Sequence, residues 1–133
     1  MWRQFLKFFC TGRPAPKGSY VPANNRFGVR HSSKYLAEWE QAVIRQARLA
    51  GLTLPAISEP SEGGYRLKLD FYFIAGKTNK YSYPTIDLDK LVRSTVDALV
   101  KSTVIGDDKH VVEIVATKNF GLNQGAHVEI SHA

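Results

Sequence analysis

Hydrophobic and polar positions alternate with a period of two in four stretches of the chain and recur at helical spacing in two more. Residues 2–10 put Trp2, Gln4, Leu6, Phe8 and Cys10 on one face of an extended segment and Arg3, Phe5, Lys7 and Phe9 on the other. This pattern predicts a largely buried strand. Residues 65–75 give the cleanest alternation, with Tyr65, Leu67, Leu69, Phe71 and Phe73 opposed to Arg66, Lys68, Asp70 and Tyr72. Residues 111–117 and 126–130 alternate again, and Gly121 and Gly125 between them predict a terminal antiparallel hairpin.

Two segments follow the 3.6-residue period instead. Ser32 or Ser33 can cap a helix whose inward stripe is Leu36, Trp39, Val43, Ala47 and Ala50, with Gly51 as its stop. Residues 87–101 carry Leu88, Leu91, Val92, Thr95, Val96 and Leu99 at the same spacing. Between these elements, residues 11–31 hold Pro14, Pro16, Gly18, Pro22 and Gly28 and read as one long irregular stretch, a length that usually signals function. Residues 52–64 read as a connection, and residues 76–83 as a basic, aromatic loop. The predicted order is β-α-β-α-β-β. That makes an α/β (α+β) chain, one mixed sheet packed against two helices, in a single domain over residues 1–133.

Composition narrows the class. With 133 residues, 44% hydrophobic and 23% charged, the chain supports one core and is not a disordered polymer. The single cysteine, Cys10, excludes an internal disulfide and a cysteine-rich zinc site, which fits a reducing, cytoplasmic setting. No apolar run reaches the roughly 18 residues of a membrane span, and Lys7 interrupts the apolar start, so neither a membrane partner nor a signal peptide is expected. No glycine-rich phosphate loop, nucleophile elbow or His-Glu-x-x-His occurs, so no nucleotide cofactor is expected. His31, His110, His127 and His132 lack metal-ligand spacing.

The net charge of +6 is segregated. Residues 1–80 hold 13 Lys/Arg against 5 Asp/Glu, whereas residues 81–133 hold 5 against 7. A basic body beside an acidic third suggests a polyanion-binding surface around a cluster of carboxylates. Arg13, Lys17, Arg26, Arg30, Lys77 and Lys80 are the candidate phosphate contacts, each with the alternative of a solvated loop charge. Tyr81, Tyr83 and Phe27 offer base stacking, or else packing in the core or a dimer.

The acids fall in two pairs. Asp87 and Asp89 open the second helix, and Asp107-Asp108 follow Gly106 where that helix hands over to a strand. The two pairs come together if the returning chain runs back along the helix. Crowded carboxylates repel unless a divalent cation neutralises them, and Mg²⁺, a hard ion, takes oxygen ligands from carboxylates, phosphate and water. Mn²⁺ is the natural substitute. The competing reading makes Asp87 or Asp89 a helix cap and Asp107-Asp108 a polar turn. Arg93, four residues after Asp89, either joins an i,i+4 charge ladder with Asp97 and Lys101 or holds a scissile phosphate. Asp97 and Lys101 read as structural.

The run Ile86-Asp87-Leu88-Asp89-Lys90-Leu91-Val92-Arg93-Ser94-Thr95-Val96-Asp97-Ala98-Leu99, then Ile105-Gly106-Asp107-Asp108-Lys109-His110-Val111-Val112, resembles the RusA family of Holliday junction resolvases. Pro14-Ala15-Pro16-Lys17-Gly18 is similar to the Pro-x-Pro-Lys-Gly that follows the first strand in many members. Motif identity covers about a quarter of the chain, and the element order agrees along nearly all of it. The resemblance implies a homodimeric, magnesium-dependent endonuclease that binds four-way DNA junctions and nicks two strands of like polarity symmetrically. It assigns the metal carboxylates to Asp87, Asp89 and Asp108, with Asp107 adjacent, and the catalytic cation to Arg93. Well-studied members carry Lys there. Arg is a rigid fork that keeps its charge, so charge stabilisation survives the change and a role for a neutral amine does not. A phage or prophage origin in a bacterial host is also suggested by the resemblance alone. Two alternatives remain: a broader nuclease for flaps and forks, and a non-catalytic branched-DNA binder whose acids are caps and turns.

Overall fold

The computed structural model describes residues 5–18, 26–53 and 63–133, with side chains described for 6–18, 35–52 and 63–133. Strand β1 (Phe5–Thr11) is followed by helix α1 (Arg26–Thr53), strand β2 (Tyr65–Phe73) and helix α2 (Leu88–Lys101). A single 3₁₀ turn at Asp108–His110 leads into β3 (Val111–Phe120), and β4 (Gly125–His132) ends the described chain. The element order is the one the hydrophobic pattern predicts.

The sheet runs β1-β4-β2-β3. β2 and β3 are parallel and are joined through α2, while β4 lies antiparallel to both β1 and β2. The expected β3–β4 hairpin does not form, because β4 inserts between β1 and β2. Period-two alternation fixes which face a side chain occupies and says nothing about which strand lies beside it. The chain turns from β3 to β4 across the end of β2, where the Gly121 N–H donates to the Phe73 carbonyl at 2.9 Å. A Cβ on Gly121 would stand 3.0 Å from the Tyr72 ring, and one on Gly125 would collide with the Cys10 carbonyl and the Phe9 ring. Two glycines therefore permit the crossing.

Helix α1 also departs from expectation. It begins at Arg26 and runs 28 residues to Thr53, so Ser32 and Ser33 lie inside it and Gly51 does not stop it. No proline falls between residues 26 and 53, and an interior glycine costs a helix only about 1 kcal/mol. Part of the predicted long loop is thus helix, including the positions of Arg26 and Arg30.

The core sits between the helices and one face of the sheet. Tyr65, Leu67, Leu69 and Phe71 of β2 and Val128 and Ile130 of β4 are buried against Trp39, Val43 and Ala47 of α1 and Leu91 and Leu99 of α2. Each fully buried Leu, Ile or Phe contributes about 1.5–3 kcal/mol. The other sheet face is polar, with Arg66 paired to Glu113 and the Thr117 hydroxyl donating to Asp70 at 2.7 Å. Among the described residues no helix is long and apolar enough to cross a membrane.

Candidate active site

Helix α2 carries the predicted acidic start. Asp87 occupies its N-cap position with extended backbone, yet its carboxylate makes no capping hydrogen bond. Instead it is exposed, with Lys90 Nζ 3.4 Å away. Asp89 and Arg93 are exposed one turn apart on the same helix face, and among the described residues neither makes an ion pair. The charge ladder that is one of the two readings of Arg93, along Asp89, Arg93, Asp97 and Lys101, does not form among the described residues. Lys101 donates to Glu40 of α1 at 2.6 Å, and Asp97 pairs with Lys17 at 3.1 Å.

The Pro14–Gly18 segment sets the position of this helix. Its Lys17 N–H donates to the Lys90 carbonyl at 3.0 Å, and the buried Ser94 hydroxyl donates to the Ala15 carbonyl at 2.6 Å. Pro14 and Ala15 are buried beneath α2. From α1, Trp39 Nε1 donates to Thr95 Oγ1 at 3.1 Å, and the Thr95 hydroxyl donates to the Leu91 carbonyl at 2.9 Å. Both partners are buried, so α2 is clamped between the proline-rich segment and α1. The side chain of Lys17 serves that clamp, held by Asp97 and, more loosely at 3.9 Å, by Glu40. Its charge is answered within the fold.

Asp107 and Asp108 stand elsewhere. Asp107 accepts from the Lys109 N–H at 3.0 Å and so caps the 3₁₀ turn. That N–H holds its carboxyl below the usual range, assisted by a hydrogen bond with Asp108. Asp108 is pushed upward, first by the same hydrogen bond, then by desolvation and the negative charges of Asp107 and Asp97. Asp97 lies eight residues beyond Asp89, about 12 Å further along the helix axis. β3 begins beside the start of β2, at Val111 opposite Tyr65, while Lys118 near its other end donates to the Ile86 carbonyl at 2.9 Å. About 23 Å of strand separates Val111 from Lys118. The two acidic pairs thus occupy opposite ends of α2 within one chain. Among the described residues no group of three or more His, Cys, Asp or Glu is gathered to hold a metal.

The basic candidates divide by position. Lys77 and Lys80 are exposed on the loop that leads into α2. Arg13 is exposed with its guanidinium 4.5 Å over the Tyr35 ring. Arg26 and Arg30 lie in the first turns of α1, and their side chains fall outside the described residues, as does that of Phe27. Ser94, Thr95, Trp39 and Glu40, which build the clamp, carry no sequence signal of that role. Lys118 does carry one, because it interrupts the inward series Ile114, Ala116, Lys118, Phe120 of β3.

The start of α2 thus carries two exposed carboxylates, Asp87 and Asp89, and an exposed arginine one turn later that makes no ion pair among the described residues, with a basic loop leading into it. The family profile for endodeoxyribonuclease RusA matches residues 12–131. The chain belongs to that family of endodeoxyribonucleases, and the match spans both acidic pairs, Arg93 and the Pro14–Gly18 segment. No curated protein matches the chain.

Proposed function

We propose that this protein is a magnesium-dependent endonuclease that resolves four-way DNA junctions as a homodimer, by symmetric nicks in two strands of like polarity. The observation that carries the reading is the start of α2, where Asp87 makes no capping hydrogen bond and Asp89 and Arg93 stand exposed beside it without an ion pair among the described residues. A purely structural role for these residues would have used the cap or the ladder. Asp107 does cap its turn, so Asp108 is the better metal candidate of that pair.

The donor chemistry suits the ion. Asp87, Asp89, Asp107 and Asp108 offer only carboxylate oxygens, the donors that Mg²⁺ prefers, and Asp107 and Asp108 lie within hydrogen-bond reach of each other. When bound there, Mg²⁺ supplies an activated water and charge stabilisation for the leaving oxygen. Mn²⁺ fits the same donors. Arg93 contributes a fixed positive fork that grips the scissile phosphate and answers the charge that develops on it.

Homodimer formation gives the separated acids a way to meet. Among the described residues nothing pairs with the outer edge of β3, which exposes Val112 (62%), Ile114 (42%) and Val115 (50%). An open apolar edge strand invites pairing with another strand. Two β3 strands joined antiparallel about Ile114 and Val115 set Val111 of one protomer opposite Lys118 of the other. The Asp107-Asp108 turn of one chain then approaches the α2 start of its partner. A two-fold dimer of this kind presents two equivalent sites to two equivalent strands.

The test is Mg²⁺-titrated cleavage of an end-labelled four-way junction, a fork and a linear duplex by the wild type and by Asp89→Asn. Paired nicks in the junction alone, lost in the variant with binding retained, are expected. Equal cutting of all three substrates indicates a broader nuclease, and tight junction binding without cutting in Mg²⁺ or Mn²⁺ makes the acids structural.

A further inference from the structure

The loop between β2 and α2 holds two tyrosines that the fold does not use. Tyr81 and Tyr83 stack on each other with ring centroids 5.3 Å apart and planes 20° apart. They remain 46% and 49% exposed. Lys80 Nζ lies 5.6 Å from the Tyr81 ring, and Lys118 Nζ lies 5.7 Å from the Tyr83 ring, both within cation–π reach. The same Lys118 ammonium donates to the Ile86 carbonyl, the residue before Asp87, and so ties this aromatic surface to the start of α2. At its near end the loop is closed by Asn79 Nδ2 donating to the Gly76 carbonyl at 2.8 Å, and at its far end by the buried Pro84. Tyr83 precedes Asp87 by four residues, so their Cα atoms lie within about 14 Å of each other.

Two large rings left half in water, pre-stacked, flanked by lysines and fixed beside carboxylates make a surface suited to the face of a nucleobase. Stacking on aromatic side chains tolerates any base and needs only that the base be unstacked from its neighbours. In continuous duplex every base face is covered. At a branch point the terminal pairs of the arms and any unpaired nucleotide are open. We infer that Tyr81 and Tyr83 form a stacking platform for an exposed base at the branch point and that they are specificity-determining residues. The platform rests on the proposed junction-binding function and deepens it. Lys77 and Lys80 attract the adjoining phosphates, and the bound base sets which phosphate reaches Asp87, Asp89 and Arg93.

The experiment is photocrosslinking of the full chain, in EDTA so that binding is read without cutting. The probe is a four-way junction carrying 5-iodouracil at each nucleotide flanking the crossover, and the crosslinked peptide is mapped by mass spectrometry. Affinities for the junction and for a linear duplex of equal length are measured alongside, for wild type, Tyr81→Ala/Tyr83→Ala and Tyr81→Phe/Tyr83→Phe. The expected result is a crosslink to Tyr81 or Tyr83 and a loss of junction affinity of about 5- to 100-fold in the alanine pair. Duplex affinity is expected to change by less than about twofold, with the phenylalanine pair close to wild type. Far-UV circular dichroism of the alanine pair reports its folding, and the phenylalanine pair carries the test if that variant is unfolded. A junction bound with its crosslinks elsewhere, or an alanine pair that binds junction as wild type does, overturns the platform and leaves the nuclease reading standing. A changed oligomeric mass in the alanine pair without a tyrosine crosslink likewise overturns it. A tyrosine crosslink in a protein that never cuts with Mg²⁺ upholds the platform while the nuclease reading falls. Equal affinity of the wild type for junction and duplex overturns both.

Discussion

The clamp between α1 and α2 makes a sharp energetic prediction. Trp39 and Thr95 are both buried, and the indole N–H has the Thr95 hydroxyl as its partner. Thr95→Val keeps the side-chain shape, removes the acceptor and strands a buried donor. Such a loss costs about 1–3 kcal/mol. Trp39→Phe removes the donor instead, and the Thr95 hydroxyl keeps its bond to the Leu91 carbonyl. Its cost is the lost packing of the larger ring, again about 1–3 kcal/mol. In the double variant neither partner is left unsatisfied, so its cost falls short of the sum of the single costs by about 1 kcal/mol. Urea unfolding followed by far-UV circular dichroism measures all four proteins, with an unchanged m value as the check on two-state behaviour. Near the thermal midpoint each 1 kcal/mol corresponds to about 4 °C for a chain of this size. Thr95 lies across α2 from the exposed Asp89 and Arg93, so cleavage well below the midpoint stays near wild type. Additive costs, or a Thr95→Val variant within about 0.5 kcal/mol of wild type, would refute the buried hydrogen bond as the joint between the helices.

Other outcomes follow from the same structure. Placing lysine at Ile114 or Val115 sets like charges across a β3–β3 contact. Sedimentation equilibrium should then show a monomer with native circular dichroism and lost cleavage, and an unchanged dimer mass would place the interface elsewhere. Burial pushes the Cys10 thiol up to about 12 from 9.0. Thiol reagents at pH 8 should therefore label it only after unfolding, and prompt labelling of the native protein would contradict its burial. Because the folded-state pKa is raised, the associated stability is complete below pH 9.0 and declines as pH rises from there toward about 12. Cys10→Ala should flatten that alkaline loss in urea midpoints measured across the interval.

Much of this molecule was legible along the chain. The alternation of Tyr65 to Phe73 names a strand and its buried face, because a sheet with one buried face demands period two. The stripe of α2 names that helix to within one residue at its start, since the apolar periodicity and the acidic start coincide there. The spacing of Asp87, Asp89, Arg93 and Asp107-Asp108 carries the resemblance to the RusA family, and the family match spans all of them. Helix α1 extends past both expected ends because serine is a weak start signal and glycine a weak stop signal where no proline lies within residues 26–53.

What the sequence determined by itself was therefore the set of elements, their buried faces and the motif that carries the family resemblance, all of which are patterns among near neighbours in the chain. The tertiary structure alone decided the neighbours. It placed β4 between β1 and β2, engaged Lys17 with Asp97 and Glu40, left Asp87 without a capping bond and stacked Tyr81 on Tyr83. It also set the two acidic pairs at opposite ends of α2, because a parallel crossover must return along the helix before β3 can begin. Contacts between residues far apart in the chain depend on how whole elements pack, and no local pattern encodes that choice.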